Sequence, residues 1–111
     1  MELGQFSVSL TVKDMSKAKA FYEALGFAAI EGCGSIKDNW LILQNGTTVI
    51  GIFKDMFDKN ILTFNPADAR GIERAMQAQG YTPVKATEGE SGPCHCVFLD
   101  PDGNQVMFDQ H

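Results

Sequence analysis

The sequence predicts an α+β chain built from two copies of a βαβββ module, and three observations carry that expectation. Residues 5–12, QFSVSLTV, alternate strictly between polar and apolar side chains. Asp14 and Asp68 each stand before a helical pattern that is stopped by a glycine and an aromatic residue, Gly26-Phe27 and Gly80-Tyr81. One shift of 54 residues superimposes both sets, and a fixed offset is the signature of internal duplication. A chain of 111 residues suits one compact domain, 1–111, with module 1 over about 1–54 and module 2 over about 60–111.

In the first strand Phe6, Val8, Leu10 and Val12 share one face, and Gln5, Ser7, Ser9 and Thr11 the other. Asp14 or Ser16 caps a helix over 16–25, where Ala18, Phe21, Tyr22 and Leu25 recur at helical spacing and Gly26 suits a left-handed C-terminal position. FAAIEG, DNWLILQ and TTVIGIFK follow as strands, with Asn45-Gly46 expected to make a type I′ hairpin turn. KDMFDKN, 54–60, has no period and reads as the link. The second copy runs ILTF, a helix PADARGIERAMQAQ opened by Pro66, then YTPVKA, CHCVFL and QVMFDQ as strands. Asp100, Pro101, Asp102 and Gly103 form a turn: proline sets φ, the carboxylates cap amides, and glycine takes a positive φ.

Composition excludes several classes. At 44% hydrophobic and 21% charged residues the chain has the make-up of a soluble globular protein, and no apolar run approaches the roughly 20 residues of a membrane span. The start, MELGQFSVSL, has neither the basic nor the apolar region of an export signal, and three cysteines do not make a disulfide framework. A cytoplasmic location is expected. Formal charge is -5, and the nine Lys and Arg are scattered, so nucleic acid is not an expected partner, while a weakly cationic ligand suits the acidic surface.

LTVKDMSKAKAFYEALGF and FLDPDGNQVMF, in this element order, resemble the vicinal oxygen chelate superfamily, which includes glyoxalase I, extradiol dioxygenases and bleomycin-resistance-type drug-binding proteins. The resemblance covers essentially the whole chain and implies two modules forming a curved mixed sheet around a cleft. In the enzymes of that superfamily a divalent metal sits there on His, Glu or Gln. Carried over position by position, the ligand positions fall on Ser7, Gly51, Ile61 (Asn60 if the register slips) and Met107. Such an ion needs several oxygen or imidazole donors at about 2.0 to 2.5 Å. These residues supply no anionic donor, and a slip of one residue offers only apolar neighbours at the strand positions of Ser7, Gly51 and Met107. Neither a metal nor another cofactor is expected.

Cys94 and Cys96 could pair with His111 around a metal, but His95 between them points to the opposite face, and the alternative is that both thiols continue the helix-facing apolar side of Phe98. His95 then lies on the other face with Val97, as a ligand donor, an acid-base group or a structural side chain. Cys33, in a loop-like EGCGS, has no base near it in sequence. Trp40 either fills core or stacks on a planar ligand. Gly51 leaves room on its face, and Val49, Phe53, Ile61 and Met107 give an apolar lining.

The function expected is binding or sequestration of a small organic molecule, such as an antibiotic or other planar compound, without metal and without catalytic residues. The expected ligand contacts are Ser7, Trp40, Val49, Gly51, Phe53, Ile61, His95 and Met107. A homodimer is what the resemblance implies. The alternatives are a lyase, isomerase or dioxygenase-like enzyme using a displaced metal or His95, and a non-catalytic domain whose dimer surface is the function.

Overall fold

The computed structural model describes residues 1–111. The order of elements is β1 (Gln5–Thr11), α1 (Met15–Ala24), β2 (Ala28–Ser35), β3 (Trp40–Asn45), β4 (Thr48–Phe53), β5 (Ile61–Asn65), α2 (Ala69–Ala78), β6 (Cys94–Leu99) and β7 (Gln105–Gln110). The fold class is α+β, with seven strands in mixed pairing and two helices. The chain divides into two compact units: module 1, Ser7–Asn60, and module 2, which joins Met1–Phe6 to Ile61–His111.

The first six residues belong with the C-terminal half for packing reasons. Phe6 meets the ring of Phe64 at 5.0 Å, Leu3 packs on the module 2 core, and Gly4 lies so close to the backbone of Asn65 and Pro66 that no Cβ fits between them.

In module 1 the strands run β2-β3-β4-β1. β4 pairs antiparallel with β3 and parallel with β1. The registers Val8↔Ile50 and Leu41↔Ile52 place Leu41, Leu43, Ile50 and Ile52 on one face. There they pack with Met15, Ala18 and Tyr22 of α1, and Leu43 and Ile52 are fully buried. Module 2 has the strand order β5-β7-β6. Its helix face holds Cys94, Cys96, Phe98 and Phe108 against Ala69 and Ile72 of α2.

The two helices are bounded by the same chemistry. Asp14 accepts from the Lys17 amide and Asp68 from the Gly71 amide, at 3.0 and 2.9 Å. At the other ends Phe27 N–H donates to Tyr22 O and Gly26 N–H to Glu23 O, matched by Tyr81 to Met76 and Gly80 to Gln77. Each is a Schellman closure with glycine at positive φ. The spacing that suggested duplication is thus the spacing of two equivalent caps.

Three local expectations are corrected. α2 begins at Ala69 behind Asp68 rather than at Pro66, because an aspartate carboxylate can accept an orphan amide. Asn45 and Thr48 are themselves paired, so Gly46-Thr47 is the turn, with positive φ at Gly46 only, the pattern of type II′. The Asn45 side chain instead donates to Leu25 O at 3.2 Å, closing the end of α1. YTPVKA is not a strand: only Lys85 bridges to Val97, since Pro83 has no amide to donate. The second module therefore lacks one strand of the expected βαβββ set.

The segment after that bridge is held by α2. Arg70 donates to the carbonyls of Glu88 (2.7 Å), Gly89 (3.0 Å), Gly92 (3.0 Å) and Ser91 (3.2 Å). Buried Glu73 accepts from the Thr87 amide and hydroxyl at 2.8 and 2.7 Å. A loop without its own ladder has its polar backbone satisfied by one guanidinium and one carboxylate. Arg70→Ala should destabilise the protein by about 2 kcal/mol, measured by chemical denaturation, and raise amide exchange over residues 87–92. Arg70→Lys, a point charge without the planar fork, should recover only part of the loss.

Candidate functional site

The strand registers decide which side chains share the face turned away from each helix. In module 1, Trp40↔Phe53, Ile42↔Gly51 and Gln44↔Val49 run between β3 and β4, and Ser9↔Gly51 and Thr11↔Phe53 between β4 and β1. Ser7, Trp40, Val49, Gly51 and Phe53 are thus on one face. In module 2, Thr63↔Met107, Val97↔Met107 and Ile61↔Gln105 put Ile61, Met107 and Val97 on the face opposite α2, with His95 beside them. Each group of sequence-selected residues is brought together within its own module.

The carried-over ligand positions do not supply a donor set for a metal. Ser7 and Gly51 in module 1, and Ile61 and Met107 in module 2, do not fit a divalent cation, which takes anionic or imidazole donors. No three His, Cys, Asp or Glu side chains converge anywhere in the chain to hold one.

Gly51 does not leave open room. A Cβ there would fall 2.5 Å from Phe53 Cε2 and 3.1 Å from Ile42 Cδ1. The ring of Phe53 already lies over the glycine, so that residue serves a close approach between side chain and backbone. Trp40 is half-buried, its indole against the backbone of Gly34. Ser7, Val49 and Ile61 are buried, whereas Met107 is partly buried and His95 exposed.

A cavity of module 1 lies at the end of this face. It is an open cleft of about 740 Å³ lined by Thr11, Val12, Lys13, Asp55, Met56, Phe57 and Asp58. Its aromatic wall continues the sheet, because Phe57 rests on Phe53 with ring centroids 5.3 Å apart and planes tilted by 53°. Asp55 has φ of 60°, which turns the chain sharply after β4. Sequence reading treated 54–60 as a link only. The signal it held was a methionine and a phenylalanine among charges, apolar groups that a simple linker does not need.

Asp109 was also missed. Register places it directly opposite His95 on the adjacent strand, a relation that emerges only once β6 and β7 are paired. His111 does not join the thiols: its Nε2 lies 3.2 Å from Asn65 Nδ2. Cys94 and Cys96 face α2 within the core, and Cys33 is inside the irregular strand β2, where the register shifts between Ala29 and Gly34. Burial pushes the Cys96 thiol up to about 12, with Glu73 and then Cys94 adding to the effect. An aromatic disulfide reagent at about pH 8 should therefore titrate Cys33 in the native chain and all three thiols after denaturation. In the range between the ordinary thiol value of 9.0 and about 12, the unfolded chain loses the Cys96 proton first. Stability should accordingly fall as pH rises through that window, and Cys96→Ala should flatten the decline.

Several solved structures share this architecture. A superfamily member from Vibrio splendidus aligns with a TM-score of 0.76 at 14% identity, over 96% of this chain and 98% of that one. The structure described as NAD-dependent benzaldehyde dehydrogenase from Legionella pneumophila gives 0.76 at 18%, over 95% and 97%. Methylmalonyl-CoA epimerase from Mycobacterium tuberculosis gives 0.67 at 12%, over 98% and 87%. At such identities the likeness is one of fold. No curated protein matches the chain. The family model covers residues 4–108, and on that match the chain belongs to the Glyoxalase/Bleomycin resistance protein/Dioxygenase superfamily.

Proposed function

We propose that this chain binds a small planar organic molecule, apolar or weakly cationic, in the cleft of module 1 and holds it without metal chemistry. The observation that carries the reading is the open cleft whose aromatic wall, Phe57 on Phe53, continues the sheet face. Its volume is in the range of small-molecule sites, and its lining mixes Val12, Met56 and Phe57 with Thr11, Lys13, Asp55 and Asp58. Phe57 offers a ring face for stacking, exposed Met56 an adaptable apolar contact, and Asp55 and Asp58 outnumber Lys13 on the lining. Of the expected ligand contacts none lines the cleft; Phe53 meets it through the ring of Phe57, Ser7, Trp40, Val49 and Gly51 share its sheet face, and Ile61, His95 and Met107 belong to the other module. No helix is long and apolar enough to cross a membrane; a cytoplasmic location is part of the proposal and rests on the three free thiols.

The test is a titration with thioflavin T, a planar cationic dye, read by dye and Trp40 fluorescence, alongside elemental analysis of the purified chain. The parent should bind the dye, Phe57→Ala should weaken it about tenfold through loss of the stacking wall, and chelator should change neither binding nor stability. Dye affinity equal in parent and Phe57→Ala, or about one metal per chain lost together with stability, would sink the reading.

A homodimer completes the proposal. β2 pairs only with β3, and an unpaired strand edge is a ready surface for association. Sedimentation at micromolar concentration should give twice the 12.1 kDa chain mass; a monomer there counts against it. The enzymatic alternative has one favourable observation, Asp109 opposite exposed His95, a pairing suited to acid-base chemistry. It is checked by His95→Gln, which would abolish turnover of a bound substrate while leaving dye affinity intact.

A further inference from the structure

Asn60 falls outside the strands and outside the cleft lining, yet its side chain reaches 49 positions back along the chain. Its amide oxygen accepts from the Thr11 backbone N–H at 3.0 Å. Thr11 itself lines the cleft, and so does Asp55–Asp58, the segment that leads to Asn60. The other end of that segment is fixed too: Val12 N–H donates to Phe53 O at 2.8 Å and Lys54 N–H to Asn39 O at 2.9 Å. Between these points the ring of Phe57 rests on Phe53.

We infer that Asn60 is the positioning residue of the cleft, setting its width by tying the 55–58 wall to the end of β1. The inference rests on the binding reading above, and adds to it which group holds the site open at a fixed span. Residues 55–58 have no strand or helix of their own, so a side chain must supply the restraint that a ladder supplies elsewhere. Preorganising a wall in this way preserves affinity, because the loop is not ordered at the expense of binding energy. An aliphatic residue at this position leaves the Thr11 amide without that acceptor. Aspartate retains an accepting oxygen at the same distance along the side chain.

The experiment compares parent, Asn60→Ala, Asn60→Asp and Asn60→Gln by amide exchange at Thr11, by the NMR shifts of the Phe57 ring, and by thioflavin T affinity. Asn60→Ala should speed exchange at Thr11 about tenfold, the worth of one such bond. It should also move the Phe57 ring resonances away from the values set by Phe53 and weaken the dye about tenfold. Asn60→Asp should keep all three near the parent, a rescue that loss of general stability would not produce. Should Asn60→Ala not fold, Asn60→Gln, whose oxygen is one carbon further out, gives the same comparison with a smaller effect. Parental dye affinity in Asn60→Ala with faster exchange at Thr11 overturns the inference, as does Asn60→Asp behaving like Asn60→Ala. If the parent binds no dye, the binding reading falls by itself; the Phe57 resonances then decide, and unchanged shifts in Asn60→Ala overturn the positioning role.

Discussion

The two-residue period of the strands is the constraint on which everything else in this protein depends. β4 is paired on both sides, so its register with β1 and β3 settles the facing of three strands at once. Ile50 and Ile52 go to the helix side with Leu41 and Leu43. Val49, Gly51 and Phe53 must then go to the other side, with Ser7, Ser9 and Thr11 beside them. A slip of one residue would bury the serines under α1 and expel the isoleucines, so the core of the module enforces the composition of its opposite face. The same parity in module 2 sends Cys94, Cys96 and Phe98 toward α2 and leaves His95 with Val97 on the other side.

What the sheets do not satisfy, single side chains do. Arg70 and Glu73 gather the loop that a missing strand leaves without a ladder. Asn45 closes α1, Asn60 ties a cleft wall to β1, and Asp100 organises the last turn by accepting from the Asp102 and Asn104 amides and from the Asn104 side chain. The Asn104 side chain, foremost among these donors, holds the Asp100 carboxyl below its usual range, since hydrogen bonds to the charged form favour ionisation. The bonds of Arg70, Glu73, Asn45 and Asn60 join residues 14 to 49 positions apart, whereas Asp100 acts on its own turn.

The same parity fixes which residues stand at the positions that the superfamily resemblance assigns to metal ligands. Module duplication, caps and the final turn are retained, while the carried-over donor positions hold Ser7, Gly51, Ile61 and Met107. Function resides in sites placed on a fold, and the carried-over positions hold serine, glycine and apolar side chains. At Gly51 the ring of Phe53 occupies the space that a side chain would take. The cleft of module 1 uses the end of the same face, where strand gives way to the 55–58 segment.

The sequence by itself determined what depends on neighbours along the chain. Alternation in QFSVSLTV set the faces of β1, Asp14 with Gly26 and Asp68 with Gly80 bounded both helices, and Cys94, His95 and Cys96 fell on alternate sides of one strand. These are governed by local periods and short-range hydrogen bonds, which are legible without a partner. Only the tertiary structure decided the rest. It turned Asn45 from a hairpin residue into the closure of α1, reduced YTPVKA to a single bridge at Lys85, and laid Phe53 over Gly51. It also made a cleft wall of a segment that had read as a link, held by Asn60 through a bond to Thr11. Apart from Phe53 over its near neighbour Gly51, the deciding contact in these cases joins residues distant in sequence, and a one-dimensional pattern carries no distance between them.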